Sequence, residues 1–155
     1  MNYIVTKLSS FRVVGIYVKT SNLNGVSEKD IAALWKRFIL ESVSASIPNR
    51  ESEDIYCLYT QYAGDDHENY MTVIGHKING SLELTENLIE LDIPDAAYFE
   101  FDSSGKQSVS VLKTWKDIWS NNYPRAYNSD FEIYYNNDSK DKSIQSVKTF
   151  LSVKM

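Results

Sequence analysis

Glu132 is a carboxylate set among residues that favour burial. The run Asp130-Phe131-Glu132-Ile133-Tyr134-Tyr135 is dominated by aromatic and β-branched residues and reads as a strand. Side chains alternate between the faces of a strand, so Glu132 and Tyr134 share one face while Phe131 and Ile133 take the other. The chain supplies 6 Phe, 3 Trp and 11 Tyr, enough rings to wall a cavity. A carboxylate held among ring faces attracts a large, poorly hydrated organic cation, through its charge and through the ring quadrupoles. Buried without a partner it would carry a raised pKa, and a cation would restore its charged form. The plainer reading is a surface carboxylate on a half-exposed strand, the usual place for Glu.

Other chemistry finds little support. His67 and His76 stand apart from Cys or paired carboxylates at ligand spacing, so neither a metal nor a cofactor is expected. The cluster Asp65-Asp66-His67-Glu68 falls in a hairpin turn and lacks the ligand count of a calcium loop. There is no phosphate-cradling glycine loop, no serine nucleophile elbow and no Cys-His pair in a recognisable setting. Cys57 is the single cysteine and sits in an apolar run, where it reads as a small core residue. It cannot form an intramolecular disulfide, which suits a reducing compartment. No signal peptide or membrane-spanning stretch is evident, so the expectation is a cytoplasmic protein. The net charge of −5 argues against direct nucleic-acid binding and suits a cationic ligand.

The elements that must position Glu132 follow from periodicity. The strong part of the first strand is 11–18, with the piece 3–8 free to pair elsewhere. Ser27, three residues before Asp30, marks a helix start. Ile31, Leu34, Trp35, Phe38 and Ile39 give that helix an apolar stripe, running to about Ser44. Strands are expected over 55–62 and 70–78 around a turn at 64–69. A second cycle follows: strand-rich 88–102 broken at Ile93-Pro94-Asp95, a helix from Val109 to Ser120, a strand at 131–135, a polar turn and a last strand over 143–153. The second helix carries Val111, Leu112, Trp115, Ile118 and Trp119 as its stripe.

Both halves run strand, helix, strand, turn, strand. Ile31, Trp35, Lys36, Phe38 and Ile39 match Val111, Trp115, Lys116, Ile118 and Trp119 in spacing, and Asp54-Ile55 matches Asp130-Phe131. An internal duplication is the economical explanation. The 155 residues make one domain, with repeat one about 1–80 and repeat two about 81–155. The expected fold class is α+β: a duplicated βαββ unit forming a curved antiparallel sheet with two helices and a pseudo-twofold groove, a common place for a ligand.

Residues along nearly the whole chain resemble the GyrI-like effector-binding family, in its stand-alone, integron-cassette branch. They are Trp35 and Phe38, Tyr59 with Tyr62 and Gly64-Asp65, Tyr70 with Ile74-Gly75, Ile93-Pro94 with Ala97-Tyr98-Phe99, Trp115 with Ile118-Trp119, and Asp130-Phe131-Glu132-Ile133-Tyr134. The resemblance implies that Glu132 lies in an aromatic-walled pocket and pairs with cationic, lipophilic ligands. It also implies a pocket tyrosine at Tyr98, which from the residues alone is as well a cross-strand packing aromatic. The site expected on these grounds comprises Glu132, Tyr134, Tyr98 and Trp115, lined or backed by Trp35, Phe38, Tyr56 and Tyr59. The short stretch Pro124-Arg125-Ala126-Tyr127-Asn128 departs from the family pattern and would narrow one pocket wall.

Family resemblance leaves three functions open. The first is a sensor, transcription-regulator-like effector module or sequestering protein for cationic lipophilic small molecules. The second is a hydrolase of reactive, cyclopropane-bearing electrophiles, in which Glu132 activates water and a tyrosine such as Tyr98 donates a proton. The third is an interaction protein with gyrase or a transcription regulator as partner. Glu and Tyr converging within hydrogen-bond reach would favour chemistry; ring faces with Glu alone would favour binding.

Overall fold

The structure, a computed structural model, describes residues 2–64, 69–85, 87–136 and 145–155. The cluster Asp65-Asp66-His67-Glu68, most of the turn after Asn136 and the expected start of the last strand at Ser143 lie outside the described residues. Among the described residues eight strands form: β1 (Ile4–Leu8), β2 (Phe11–Ser21), β3 (Ile55–Thr60), β4 (Asn69–Ile78), β5 (Ile89–Ile93), β6 (Ala96–Asp102), β7 (Ser129–Tyr134) and β8 (Val147–Val153). Two α-helices accompany them, α1 (Val26–Leu40) and α2 (Gln107–Ser120), with short 3-10 turns at Leu23–Gly25 and Val43–Ser46. No helix among the described residues is long and apolar enough to cross a membrane.

All strands join one antiparallel sheet in the order β1-β6-β8-β7-β3-β4-β2-β5. Outward from the central β7–β3 pair, β8, β6 and β1 answer β4, β2 and β5. Each half runs strand, helix, strand, strand, as expected. The strand preceding each half crosses to the other: β1 pairs with β6, and β5 with β2. The piece 3–8 therefore does pair away from its sequence neighbour.

The sheet is curled. Phe11 on β2 and Phe131 on β7 have two strands between them, which in a flat sheet means roughly 14 Å. Their ring centroids are 5.5 Å apart. Phe11, Tyr56, Phe131, Phe150 and Tyr98 thus pack within the concavity. Gly15 and Gly75 face each other where β2 crosses β4, and a Cβ on either would sit 2.1 or 1.9 Å from a backbone oxygen. Only glycine permits that close approach.

The helices cover the convex face. Val14, Ile16, Cys57 and Ile74 pack under Leu34 and Phe38 of α1, while Phe101, Val147 and Leu151 pack with Val111, Trp115 and Ile118 of α2. The boundaries differ from expectation at α1. Gly25, in the left-handed region at φ 71°, precedes the first helical residue, so Ser27 lies inside the helix and is not its cap. The helix stops at Leu40 and Ser42 takes φ 50°, which turns the chain so that Val43 and Ile47 bury themselves. Ile39, Leu112 and Trp119 lie outside the buried stripes and are exposed, because the helices rest on the sheet along a narrower line than the sequence stripes suggest.

Candidate functional site

Glu132 stands at the centre of β7, facing the helices. Cys57 of β3 is directly opposite it on one side and Thr149 of β8 on the other. Its relative exposure is 1%. Three side chains donate to its carboxylate. Trp115 Nε1–H and the Tyr59 hydroxyl both reach Oε2 at 2.7 Å, and the Tyr134 hydroxyl reaches Oε1 at 2.6 Å. Burial raises the pKa of Glu132 above the usual carboxylate value, and the three hydrogen bonds pull partly back. The Cys57 thiol lies 3.5 Å from Tyr59 Oη and donates to it, so a chain of donors runs from Sγ through the phenol to the carboxylate. Burial pushes the Cys57, Tyr59 and Tyr134 pKa values well up, with the Glu132 charge adding to the effect.

Rings enclose this carboxylate. Tyr59 meets Trp115 edge-on with centroids 5.4 Å apart, and Trp35 of α1 meets Tyr134 edge-on at 4.9 Å. Tyr59 and Tyr134 pack against the α1 cluster and against the α2 cluster alike. The carboxylate therefore stands on the seam between the halves, with one aromatic wall from each helix. Strand parity puts Tyr59, Glu132 and Tyr134 on one face, and helix periodicity delivers Trp35 and Trp115 over it.

Five of the expected residues gather here: Glu132, Tyr134, Tyr59, Trp115 and, one ring further out, Trp35. Phe38 backs the group, 6.3 Å from Trp35 within the α1 core. Tyr98 and Tyr56 do not belong to it. Tyr98 is 1% exposed and packs on Phe131 and Phe150, while Tyr56 stacks on Phe131. Both lie in the concavity, on the far side of the sheet from Glu132. The register explains this: Tyr56 pairs with Ile133, and Tyr98 pairs with Ser152 across β8. Cys57, one residue on from Tyr56, takes the place opposite Glu132.

A second buried carboxylate escaped the sequence reading. Asp130, two residues before Glu132 on the same face, is fully buried and paired with Arg125 at 2.9 Å. It also accepts from the Tyr62 hydroxyl at 2.6 Å and from the Ser152 amide and hydroxyl at 2.7 and 2.8 Å. The Arg125 guanidinium lies 4.2 Å from the Tyr127 ring centroid, 6.0 Å from Tyr62 and 5.9 Å from Trp115. The available signal was parity, since Asp130 and Glu132 must share a face. The short 124–128 stretch supplies this arginine.

Residues 4–149 match the family described as integron-associated effector binding protein, Cass2. YobU of Bacillus subtilis (strain 168), which carries the name of a proposed transcriptional regulator, is 30% identical over 155 residues, covering 97% of this chain and 96% of its own length. Among solved structures, SAV2435 bound to tetraphenylphosphonium superposes with a TM-score of 0.78 at 18% identity, covering 99% of this chain and 94% of that one. The Vibrio cholerae integron cassette protein Cass2 gives 0.76 at 23% identity, covering 98% and 95%. Those two likenesses establish the fold. The sequence match, extending over nearly every element that builds the seam, establishes more: this chain belongs to the integron-associated effector-binding family, as its motifs suggested.

Proposed function

We propose that this protein is an effector-binding module for lipophilic organic cations, with Glu132 as the recognition group and Tyr59, Tyr134, Trp115 and Trp35 as its ring walls. One observation carries the reading: a fully buried carboxylate whose three hydrogen-bond partners are all neutral. Burial leaves this charge under-compensated, and a desolvated cation against ring faces is the partner that would compensate it. SAV2435 in complex with tetraphenylphosphonium supports the same ligand chemistry by likeness of fold. Entry requires the α1-side and α2-side rings to part at the seam, where Tyr59 and Tyr134 touch both clusters. The matching halves about this seam are read as one duplicated unit.

Titration calorimetry with tetraphenylphosphonium and the neutral triphenylphosphine oxide tests this reading. The cation should bind and the oxide bind far more weakly. Glu132→Gln should weaken cation binding by roughly 1.5–3 kcal/mol, the range for a charge-assisted contact. Equal losses for both probes would instead mean a damaged pocket.

The hydrolase reading keeps one supporting observation, the two phenols within hydrogen-bond reach of Glu132. Its acid would be Tyr59 or Tyr134, since Tyr98 faces the opposite side. Both phenols already donate to the carboxylate that would serve as base, and burial has raised their pKa values. Acids so weakened transfer a proton poorly near neutral pH, so binding is the better reading. Loss of a strained electrophile on incubation, abolished by Glu132→Gln, would reverse that preference.

A further inference from the structure

The buried hydroxyls under α2 are satisfied, whereas two on the α1 side of the sheet are orphaned. Under α2, Ser103 Oγ meets Thr114 Oγ1 at 2.6 Å and Thr149 Oγ1 at 2.7 Å, and Thr114 donates to the Ser110 carbonyl at 3.2 Å. On the α1 side, Thr72 is 0% exposed and Thr20 is 5% exposed. Neither hydroxyl has a hydrogen-bond partner among the described residues. An orphaned buried hydroxyl costs free energy that a valine would not, so two of them on one face ask for an explanation.

Their position supplies it. Thr72 on β4 lies directly opposite Tyr59 on β3, whose hydroxyl holds Glu132. Thr72 also pairs with Val18, and Thr20 with Tyr70, which makes the two threonines diagonal neighbours on the helix-facing side. Tyr70 stands edge-on to Tyr59, 6.2 Å between centroids. Beyond Tyr70 opens a cavity of about 570 Å³, lined in part by Thr20, Tyr70, Val26 and Asp30. A polar track thus leads from Glu132 past Tyr59 to Thr72, Thr20 and this cavity, beneath the first turns of α1.

We propose that the ligand site extends along this track, and that its ligand is a lipophilic cation carrying a hydrogen-bonding oxygen on an arm, such as a hydroxyl, ether or carbonyl, which pairs with Thr72 and Thr20. This rests on the cation reading of Glu132 and adds a second recognition point to it. The arm reaches the hydroxyls when Tyr59 and Tyr70 swing apart. A bare cation such as tetraphenylphosphonium uses only the first point.

The test uses the full chain with matched alkyl- and hydroxyalkyl-triphenylphosphonium ions of graded chain length, and tetraphenylphosphonium as reference. In the wild type one hydroxyalkyl length should bind roughly three- to tenfold tighter than its alkyl match, the factor for one neutral hydrogen bond. Thr72→Val with Thr20→Val should abolish that advantage, leave tetraphenylphosphonium unchanged and raise the melting temperature of the free protein. Thr72→Ser should retain the advantage. If tetraphenylphosphonium binds through Glu132 but no chain length shows an advantage, or the valine variants keep it, the extension is overturned and the cation reading stands. If no phosphonium binds the wild type, both fall.

Discussion

Asp130 and Glu132 stand two residues apart on the same face of one strand, both out of contact with water, and they are built for different ends. Asp130 is saturated by Arg125, Tyr62 and Ser152. Its arginine is itself boxed by Tyr127, Tyr62 and Trp115. The chain has here assembled, from its own residues, a carboxylate, a planar cation and ring faces. Glu132 has the carboxylate and the rings, with neutral donors where Asp130 has a guanidinium. A buried carboxylate with its own countercharge fastens the loop before β7 to the sheet. The same group with neutral donors only has no countercharge among its hydrogen-bond partners, and on that difference the proposed cation site rests. Trp115 belongs to both settings, donating to Glu132 and lying beside Arg125.

Removing each charge in turn gives the largest expected contrast. Asp130→Asn breaks the buried ion pair with Arg125 and should cost about 3–5 kcal/mol of stability. Glu132→Gln should leave stability equal or slightly higher. The geometry allows it: a glutamine oxygen at the Oε2 position still accepts from Trp115 and Tyr59, while its amide at the Oε1 position donates to a Tyr134 hydroxyl turned to accept. Urea unfolding of both variants measures the contrast. Equal destabilisation would mean that Glu132 is as structural as Asp130.

Titration of Glu132 supplies a second test. Glu132 has its native pKa raised by burial, so the folded state holds this proton at a pH where the unfolded chain, near 4.3, has lost it. The stabilisation this gives is fully present below the unfolded pKa and is lost as pH rises through the native one. The stability of Glu132→Gln relative to wild type should therefore grow across that window and then level off. Cation affinity should run the other way, falling as acid protonates the carboxylate, with a proton released on binding inside the window. Calorimetry in buffers of differing ionisation heat counts that proton. A pH-independent affinity would exclude Glu132 as the recognising charge.

Much of this site was legible in the sequence, and the rest failed for nameable reasons. Strand parity along 130–135 was enough to place Glu132 with Tyr134, because that parity is local. The helical stripes delivered Trp35 and Trp115 because an amphipathic helix can pack only one way round. Tyr98 and Tyr56 went astray because their faces depend on register across strands, which pairs Tyr56 with Ile133 and puts Cys57 opposite Glu132. Arg125 was invisible in its role, since a loop arginine signals nothing until the fold buries it. The orphaned threonines could not be read at all: a hydroxyl lacks a partner only by comparison with every neighbour in three dimensions.

The finest contrast lies between two tyrosines expected in one site, Tyr98 at its centre and Tyr59 only lining or backing it. Tyr59→Phe removes one of the two donors to Oε2, leaving Trp115 alone on that oxygen. The carboxylate becomes harder to ionise, and binding a cation must first supply that cost. Affinity should fall by about 1 kcal/mol, the usual scale for one hydrogen bond. The fall should steepen at lower pH, because the native pKa of Glu132 moves further up. Tyr98→Phe removes a hydroxyl from the concave core, whose ring packs on Phe131 and Phe150 and whose pKa burial has pushed up to about 12. With the sheet between them, Tyr98 touches neither the carboxylate nor its donors. Phosphonium affinity should stay within about twofold of wild type, with no new pH dependence, since sites on opposite faces with no shared partner act additively. A drop for Tyr98→Phe matching that for Tyr59→Phe would place the ligand on the concave face, with Glu132 only stiffening the sheet from behind.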